Sequence, residues 1–109
     1  MILVFKHLFR KNYVGLSLWP FIILKNDSLK EDVFLINHEK IHLRQQLELL
    51  VLPFYIFYTL EWVVKSIYYL DRYKGYQNIS FEREAYDNEK NLDYTRERTT
   101  FGFIKYLWV

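Results

Sequence analysis

The sequence contains no cysteine, so neither a disulfide framework nor a thiolate metal site can form. It also lacks a strong charge of either sign, because 15 lysines and arginines are balanced by 13 aspartates and glutamates. Such a balance supplies no basic field of the kind that drives nucleic-acid binding. Internal repeats and the small-residue cleavage pattern of a secretory signal are absent as well. We therefore expect a cytoplasmic protein that does not bind nucleic acid.

The most informative motif is His38-Glu39-Lys40-Ile41-His42. On a helix, residues four apart share one face, so the two imidazoles can hold one metal ion. Glu39 lies about 100° around the helix from His38, beside that ion rather than bound to it. A carboxylate in this position can take a proton from a water molecule that the metal activates. The motif predicts a zinc site with Glu39 as catalytic base; the alternative is a helix with two surface histidines.

The flanking residues predict the limits of the helix that carries this motif. Ser28-Leu29-Lys30-Glu31 has the form of a capping box, and Pro53 predicts an end near Leu52. The histidines occupy one side of this helix, and a charged side faces water. A neighbouring apolar side is predicted to face the core. Its members are Ile36, Leu43, Leu47 and Leu50.

A site with two histidines needs a third ligand. His7 stands in an apolar N-terminal run, where a lone histidine is expected to be structural, so a carboxylate is the better candidate. Residues 78–89 are predicted to begin a second helix, with Asn78 or Ser80 as the N-cap and acidic residues in the first turns. This helix is predicted to continue to about Thr95 or Arg98.

His38 to His42, followed about 40 residues later by Glu82-Arg83-Glu84-Ala85-Tyr86, resembles the gluzincin branch of the zincin metallopeptidases. In length the chain is similar to the minimal single-domain members, the minigluzincins. The resemblance implies that residues 1–109 form one minimal zincin-like domain and that Zn²⁺ is the cofactor. It also implies that Glu82 is the third ligand, with Glu84 as the alternative.

The chain departs from the gluzincin pattern at one position. Many gluzincins have an aspartate four residues after the glutamate ligand, where it orients a zinc-bound histidine. Here the residue four after Glu82 is Tyr86, and the residue four after Glu84 is Asn88. We therefore expect Asn88, Asp87 or a backbone carbonyl to orient the histidine instead. Tyr86, Gln45, Gln46 and Asn88 are the candidates for a donor to the developing oxyanion or for a group that supports the ligands. A metzincin is excluded, because its longer histidine motif is absent.

The N-terminal third has two apolar runs, residues 1–9 and 14–24, separated by polar residues. They predict a β-hairpin or two short strands, with Pro20 in an edge strand or at a bulge. By the zincin resemblance, an edge strand lies beside the active-site helix, where an extended substrate can add a further strand.

Residues 54–70 form an aromatic-rich segment that is apolar almost all round. Its charged residues, Glu61 and Lys65, stand four apart and can pair on one face. Three interpretations are open: a buried central helix, a helix with an exposed face for a partner copy or a membrane surface, or a membrane span over residues 47–70. The apolar tail, residues 101–109, is expected to pack on the core as a short helix or strand; the alternative is that it covers the active-site cleft.

Together these features predict an α+β fold that is mostly helical, with an N-terminal β-hairpin or short strands. The predicted function is that of a zinc-dependent metallopeptidase acting on a peptide or protein substrate. The alternative is a non-catalytic protein that binds a structural metal or none and uses residues 54–70 for assembly or membrane attachment.

Overall fold

The computed structural model describes residues 1–7, 9 and 13–107. Within these ranges the chain folds into a small sheet and a larger set of helices, which confirms the predicted mostly helical α+β class. The strands are β1 (Ile2–Val4), β2 (Gly15–Leu18) and β3 (Phe21–Leu24). The helices are α1 (Val33–Leu49), α2 (Val51–Tyr69), α3 (Arg72–Gln77), α4 (Ser80–Asn88) and α5 (Tyr94–Glu97), with 3-10 helices at Asp27–Glu31 and Gly102–Tyr106. Most of the predicted polar break (residues 10–12) and the end of the predicted tail (108 and 109) lie outside the described residues.

The sheet has the order β1-β3-β2, with β1 parallel and β2 antiparallel to β3. β2 and β3 form the predicted hairpin, in which Leu18 pairs with Phe21. Pro20 therefore lies in the two-residue turn, and its prediction in an edge strand or bulge is wrong. A turn suits proline because its φ is fixed and it has no N–H to donate to a sheet.

α1 begins later and ends earlier than predicted. Residues 27–31 form a 3-10 turn, and the N-cap is Asp32, whose side chain accepts a hydrogen bond from the Leu35 amide at 3.1 Å. The predicted capping box is therefore wrong. At the other end, Leu50 has a φ of 64° and breaks the helix. Pro53 lies in the first turn of α2, where no helical partner is needed for an N–H, so it begins a helix rather than ending one.

The prediction that the apolar side of α1 faces the core is wrong, because Leu47 and Leu50 are exposed. The buried side is mainly polar and consists of Asn37, His38, Glu39, Ile41, His42, Gln45 and Gln46. Polar side chains can be buried when they are hydrogen-bonded, and α4 and β2 supply the partners here. Gln46, for example, accepts from the Trp19 amide at 2.7 Å and donates to the Ser17 carbonyl at 3.0 Å, which attaches the edge strand β2 to α1.

The apolar core lies between α2, α4 and the C-terminal 3-10 helix. It is centred on Phe54, Ile79, Phe81 and Phe103, against which Tyr58 and other partly buried aromatic residues pack. The described part of the tail therefore packs on the core as a short helix, as predicted. α4 begins at Ser80 after an N-cap at Ile79 and ends at Asn88, so both predicted caps and the predicted continuation are wrong.

The cap of α4 is supplied by Glu61 of α2. Its carboxylate accepts hydrogen bonds from the amide and the hydroxyl of Ser80, both at 2.6 Å. It also forms the predicted ion pair with Lys65, at 2.7 Å. α2 buries only its inner side, so a fully buried central helix is excluded. Among the described residues, no single helix has the length and hydropathy for a membrane span; α1 and α2 meet that test together but are bent by 111°.

Candidate metal centre

α1 and α4 bring together three side chains that stand up to 44 residues apart in sequence. The Nε2 atoms of His38 and His42 each lie 3.0 Å from Glu82 Oε1 and 3.2 Å from one another. All three side chains are buried. The helix spacing places the histidines one turn apart, and the packing of α4 on α1 places the carboxylate between them.

These three atoms fit a metal ion. In a tetrahedral shell with bonds of about 2.0 to 2.1 Å, neighbouring ligand atoms lie ~3.3 Å apart, close to the 3.0 to 3.2 Å found here. Two imidazole nitrogens and one carboxylate oxygen are also the donor set of one class of catalytic zinc sites, which keep a fourth position open. The structure therefore brings Glu82, and not Glu84, to the histidines.

The histidines and Glu82 strongly influence one another's pKa. Burial disfavours charge on His42, but the charge and hydrogen bond of Glu82 outweigh burial and raise the pKa of His42 to about 9. Burial likewise works against ionisation of Glu82, yet the two histidines hold the pKa of this carboxyl well below its usual range. In the metal-free protein a proton on His42 thus takes the place of the positive charge that a metal ion would bring.

We expect metal binding at pH 7 to release about one proton per ion. His42 is protonated there because its pKa is about 9, whereas a histidine ligand must be neutral. Affinity should rise about tenfold per pH unit up to pH 9 and level off above it. Calorimetric titration with Zn²⁺ in buffers of different ionisation enthalpy measures the released proton. Binding without proton release at pH 7 would show that His42 is neutral in the metal-free protein.

Each histidine is oriented through its Nδ1 atom. Gln45 donates its amide hydrogens to the Phe81 carbonyl at 3.1 Å and to Glu84 Oε1 at 2.8 Å, so its oxygen faces His42 Nδ1 at 2.8 Å. His42 must therefore donate from Nδ1. His38 Nδ1 lies 2.9 Å from a carboxylate oxygen of Glu89. Both Nε2 atoms are thereby directed at Glu82, where a metal ion would bind.

Of the candidates for a supporting role, Gln45 contacts a histidine, whereas the prediction that Asn88, Asp87 or a backbone carbonyl orients one is wrong. Asp87 is exposed, and the Asn88 amide donates to the Glu84 carbonyl at 2.8 Å and to the Tyr106 hydroxyl. Glu89 could have been found from the sequence, because a residue seven after Glu82 lies on the same helix face two turns later.

Glu84 is fully buried and belongs to a separate cluster. Its carboxylate accepts from Gln45, from the Tyr94 hydroxyl at 2.7 Å and from Arg98 Nε at 2.9 Å. Arg98 also contacts Glu48 of α1. No local pattern signalled these partners, since Arg98 follows α5 and meets Glu84 only through the tertiary fold. The cluster stabilises the α1–α4 contact and positions Gln45.

Glu39 lies beside the candidate metal ligands, is 5% exposed, and lines two cavities. Burial raises its pKa, opposed by the nearby His42 and His38 and by a hydrogen bond with Ser17. The edge strand approaches closely at Gly15, where a Cβ atom would lie 3.2 Å from Glu39 Oε2. One cavity, of about 390 Å³, also reaches His42 and Glu82. Its remaining lining is largely aromatic and comprises Phe9, Tyr13, Gly15, Leu16, Ser17, Phe54, Tyr55, Tyr58, Trp62 and Tyr76.

The predicted oxyanion donors divide into two groups. Gln45 and Gln46 are engaged by their structural hydrogen bonds. The Tyr86 ring contacts the His38 ring, with centroids 4.4 Å apart, and its hydroxyl lies 3.1 Å from the Tyr76 hydroxyl. Burial raises the pKa of Tyr86 to about 12 and that of Tyr76 well above its ordinary value. Both hydroxyls therefore stay protonated; one donates to the other, and the hydroxyl that accepts within this pair can donate its own hydrogen to a further group.

Two tyrosines of this site were missed by sequence reasoning. Tyr76 belongs to α3, a short helix without a predictive pattern, and lines both cavities. The Tyr58 hydroxyl donates to Glu82 Oε2 at 2.5 Å and so fixes the carboxylate whose other oxygen faces the histidines. Among ten tyrosines, nothing in the sequence distinguishes these two.

No family of known proteins matches this chain, and no similarity to a curated protein or to a solved structure is found.

Proposed function

We propose that this protein is a zinc-dependent metallopeptidase. The observation that carries the proposal is the buried group of His38, His42 and Glu82, with mutual distances of 3.0 to 3.2 Å, beside Glu39 and an aromatic cavity. The resemblance of the two sequence motifs to gluzincins supports the same assignment.

In this proposal His38, His42 and Glu82 hold zinc. A zinc ion bound there would act as a Lewis acid that polarises a peptide carbonyl and lowers the pKa of water. Glu39 takes the proton of the attacking water and passes it to the leaving amine. Its burial suits this role, because a raised pKa lets a carboxylate both accept and return a proton near neutral pH.

The surrounding residues have supporting roles. The hydrogen-bonded pair of Tyr76 and Tyr86 hydroxyls supplies one donor for the oxyanion that develops on the attacked carbonyl. β2 is the edge strand beside Glu39, and an extended peptide can pair with it. The Ser17 carbonyl already accepts from Gln46 and from Tyr55, so pairing takes place at the Gly15 end. The aromatic cavity favours substrates with a bulky apolar side chain next to the scissile bond.

Removal of the metal should abolish hydrolysis reversibly. We expect the purified chain to carry about one zinc per molecule and to cleave a peptide library beside bulky apolar residues. A chelator should stop cleavage, and one equivalent of Zn²⁺ should restore it, because Glu39 alone cannot make water sufficiently nucleophilic. Mass spectrometry of the digest and elemental analysis test this. Cleavage that persists in the fully demetallated protein would exclude the proposed mechanism.

The exposed apolar side of α2 favours a second candidate, a metal-binding protein that acts through association with a partner rather than through catalysis. This candidate predicts bound zinc without hydrolysis of any library peptide. The same pair of measurements, zinc content and library digestion, therefore separates the two candidates.

A further inference from the structure

α2 carries a contiguous apolar row on its outer side, here called the α2 stripe. The stripe consists of Leu52, Ile56, Leu60, Val63 and Ile67, which are between 46% and 71% exposed. Phe57 and Val64 widen it on one flank and are exposed to a similar degree. Single exposed apolar residues are ordinary on a protein surface, but a row along a 19-residue helix indicates a binding surface.

The α2 stripe faces away from the candidate metal centre. Phe54, Tyr58 and Trp62 line the aromatic cavity, and at 100° per residue they lie on the opposite side of α2 from Leu60 and Val63. A partner bound to the stripe therefore leaves the cavity open. Binding at the stripe does not depend on the proposed peptidase activity.

The stripe is free of charge. The two charged residues of α2, Glu61 and Lys65, lie on the inner side of the helix. There the Lys65 ammonium donates to Glu61 and to the carbonyls of Asn78 and Leu107. Helices that bind a membrane surface usually place lysine or arginine beside their apolar face, and α2 exposes neither. A second copy of the stripe meets the first without like-charge repulsion.

The spacing and size of the stripe fit a second helix. Ile56, Leu60, Val63 and Ile67 follow the alternating four- and three-residue spacing of a helix-packing seam. Seven half-exposed side chains of this size offer on the order of 500 Å² of apolar surface per copy. Two copies then bury about 1,000 Å² together, the area at which specific interfaces begin.

We propose that the α2 stripe is the interface of a homodimer in which two α2 helices pack antiparallel. Leu60 is the midpoint of Val51–Tyr69. In an antiparallel pair related by a two-fold axis, the midpoint of each helix lies next to its own copy. A charge introduced at position 60 is therefore placed against the same charge of the partner chain.

Sedimentation of the full chain tests this proposal. We expect the native protein to have twice its chain mass of 13.6 kDa at micromolar concentration. Leu60→Glu and Leu60→Lys should each weaken self-association at least tenfold, because like charges meet in a desolvated interface. An equimolar mixture of the two variants should associate again, because opposite charges then meet. Such rescue requires two copies of the same surface.

Leu92→Glu is the matched control, since Leu92 is 54% exposed outside α2 and its replacement should not alter the mass. Ile67→Glu repeats the test in case a variant at position 60 loses its helical circular dichroism. A native chain that stays at 13.6 kDa, or an association unaffected by both variants, overturns the proposal. If the monomer instead binds phosphatidylcholine vesicles and Leu60→Glu abolishes this binding, the stripe is a membrane-binding surface.

Discussion

Replacing Glu39 with glutamine should abolish peptide hydrolysis while zinc stays bound. Glutamine has nearly the same shape but cannot accept a proton, and general-base catalysis is worth about 10² to 10⁴-fold in rate. Glu39 does not belong to the group of candidate ligands, so the zinc content should remain near one per chain. We expect kcat/KM to fall at least a hundredfold, mainly through kcat, with elemental analysis of the same sample giving the metal.

The matched control is Glu31→Gln. Glu31 is exposed in the 3-10 turn that precedes α1, so the same chemical change there should leave both kcat/KM and zinc content unchanged. Undiminished hydrolysis by Glu39→Gln would remove Glu39 from the mechanism. Loss of zinc in this variant would instead make Glu39 part of the metal shell.

Glu82→Gln should mainly lower zinc affinity and Glu84→Gln should mainly lower stability, although the two residues stand only two positions apart. Glu82 supplies the oxygen that lies 3.0 Å from both histidine Nε2 atoms, and its loss removes a charged ligand. We expect zinc affinity to fall by more than the ~10 to 100-fold typical of a lost orienting group. Titration against a competing chelator measures it.

Glu84→Gln should lower stability far more than it lowers zinc affinity. Glu84 is the partner of the buried Arg98 guanidinium, and removing one member of a buried ion pair costs ~3 to 5 kcal/mol. Its effect on zinc passes through Gln45 and His42, so the affinity should fall at most 10 to 100-fold. Urea unfolding of the metal-free proteins measures the stability, with the exposed Glu97→Gln as control. If Glu84→Gln loses zinc and Glu82→Gln keeps it, the ligand assignment is reversed.

Much of the site could be predicted because its first two candidate ligands are a local feature. His38 and His42 meet through the repeat of a single helix, and that repeat holds whatever packs around it. The pair of Glu61 and Lys65 was predictable for the same reason. The position of Glu89 near the site could have been predicted by the same rule, since Glu89 lies seven residues after Glu82 on the same helix face. Local periodicity thus accounts for the histidine pair and for the ion pair in α2.

The errors have a common origin in the packing of distant segments. The apolar side of α1 was expected to face the core, yet Leu47 and Leu50 are exposed and the polar side is buried. That arrangement is stable only because β2 and α4 supply hydrogen-bond partners to Gln46 and Gln45. A hydropathy pattern treats such residues as solvated, since it contains no information about which groups will face them.

The sequence by itself determined the helical α+β class, the histidine pair and the position of Glu39 beside it, because these follow from backbone periodicity and side-chain chemistry within one segment. Only the tertiary structure decided between Glu82 and Glu84, chose Glu89 and Gln45 as the groups that orient the histidines, and placed Tyr58 and Tyr76 at the cavity. The physical reason is that a metal site is defined to within a fraction of an ångström by contacts between α1, α2, α3 and α4. Those contacts depend on how the helices pack, and no short-range pattern in the chain specifies that packing.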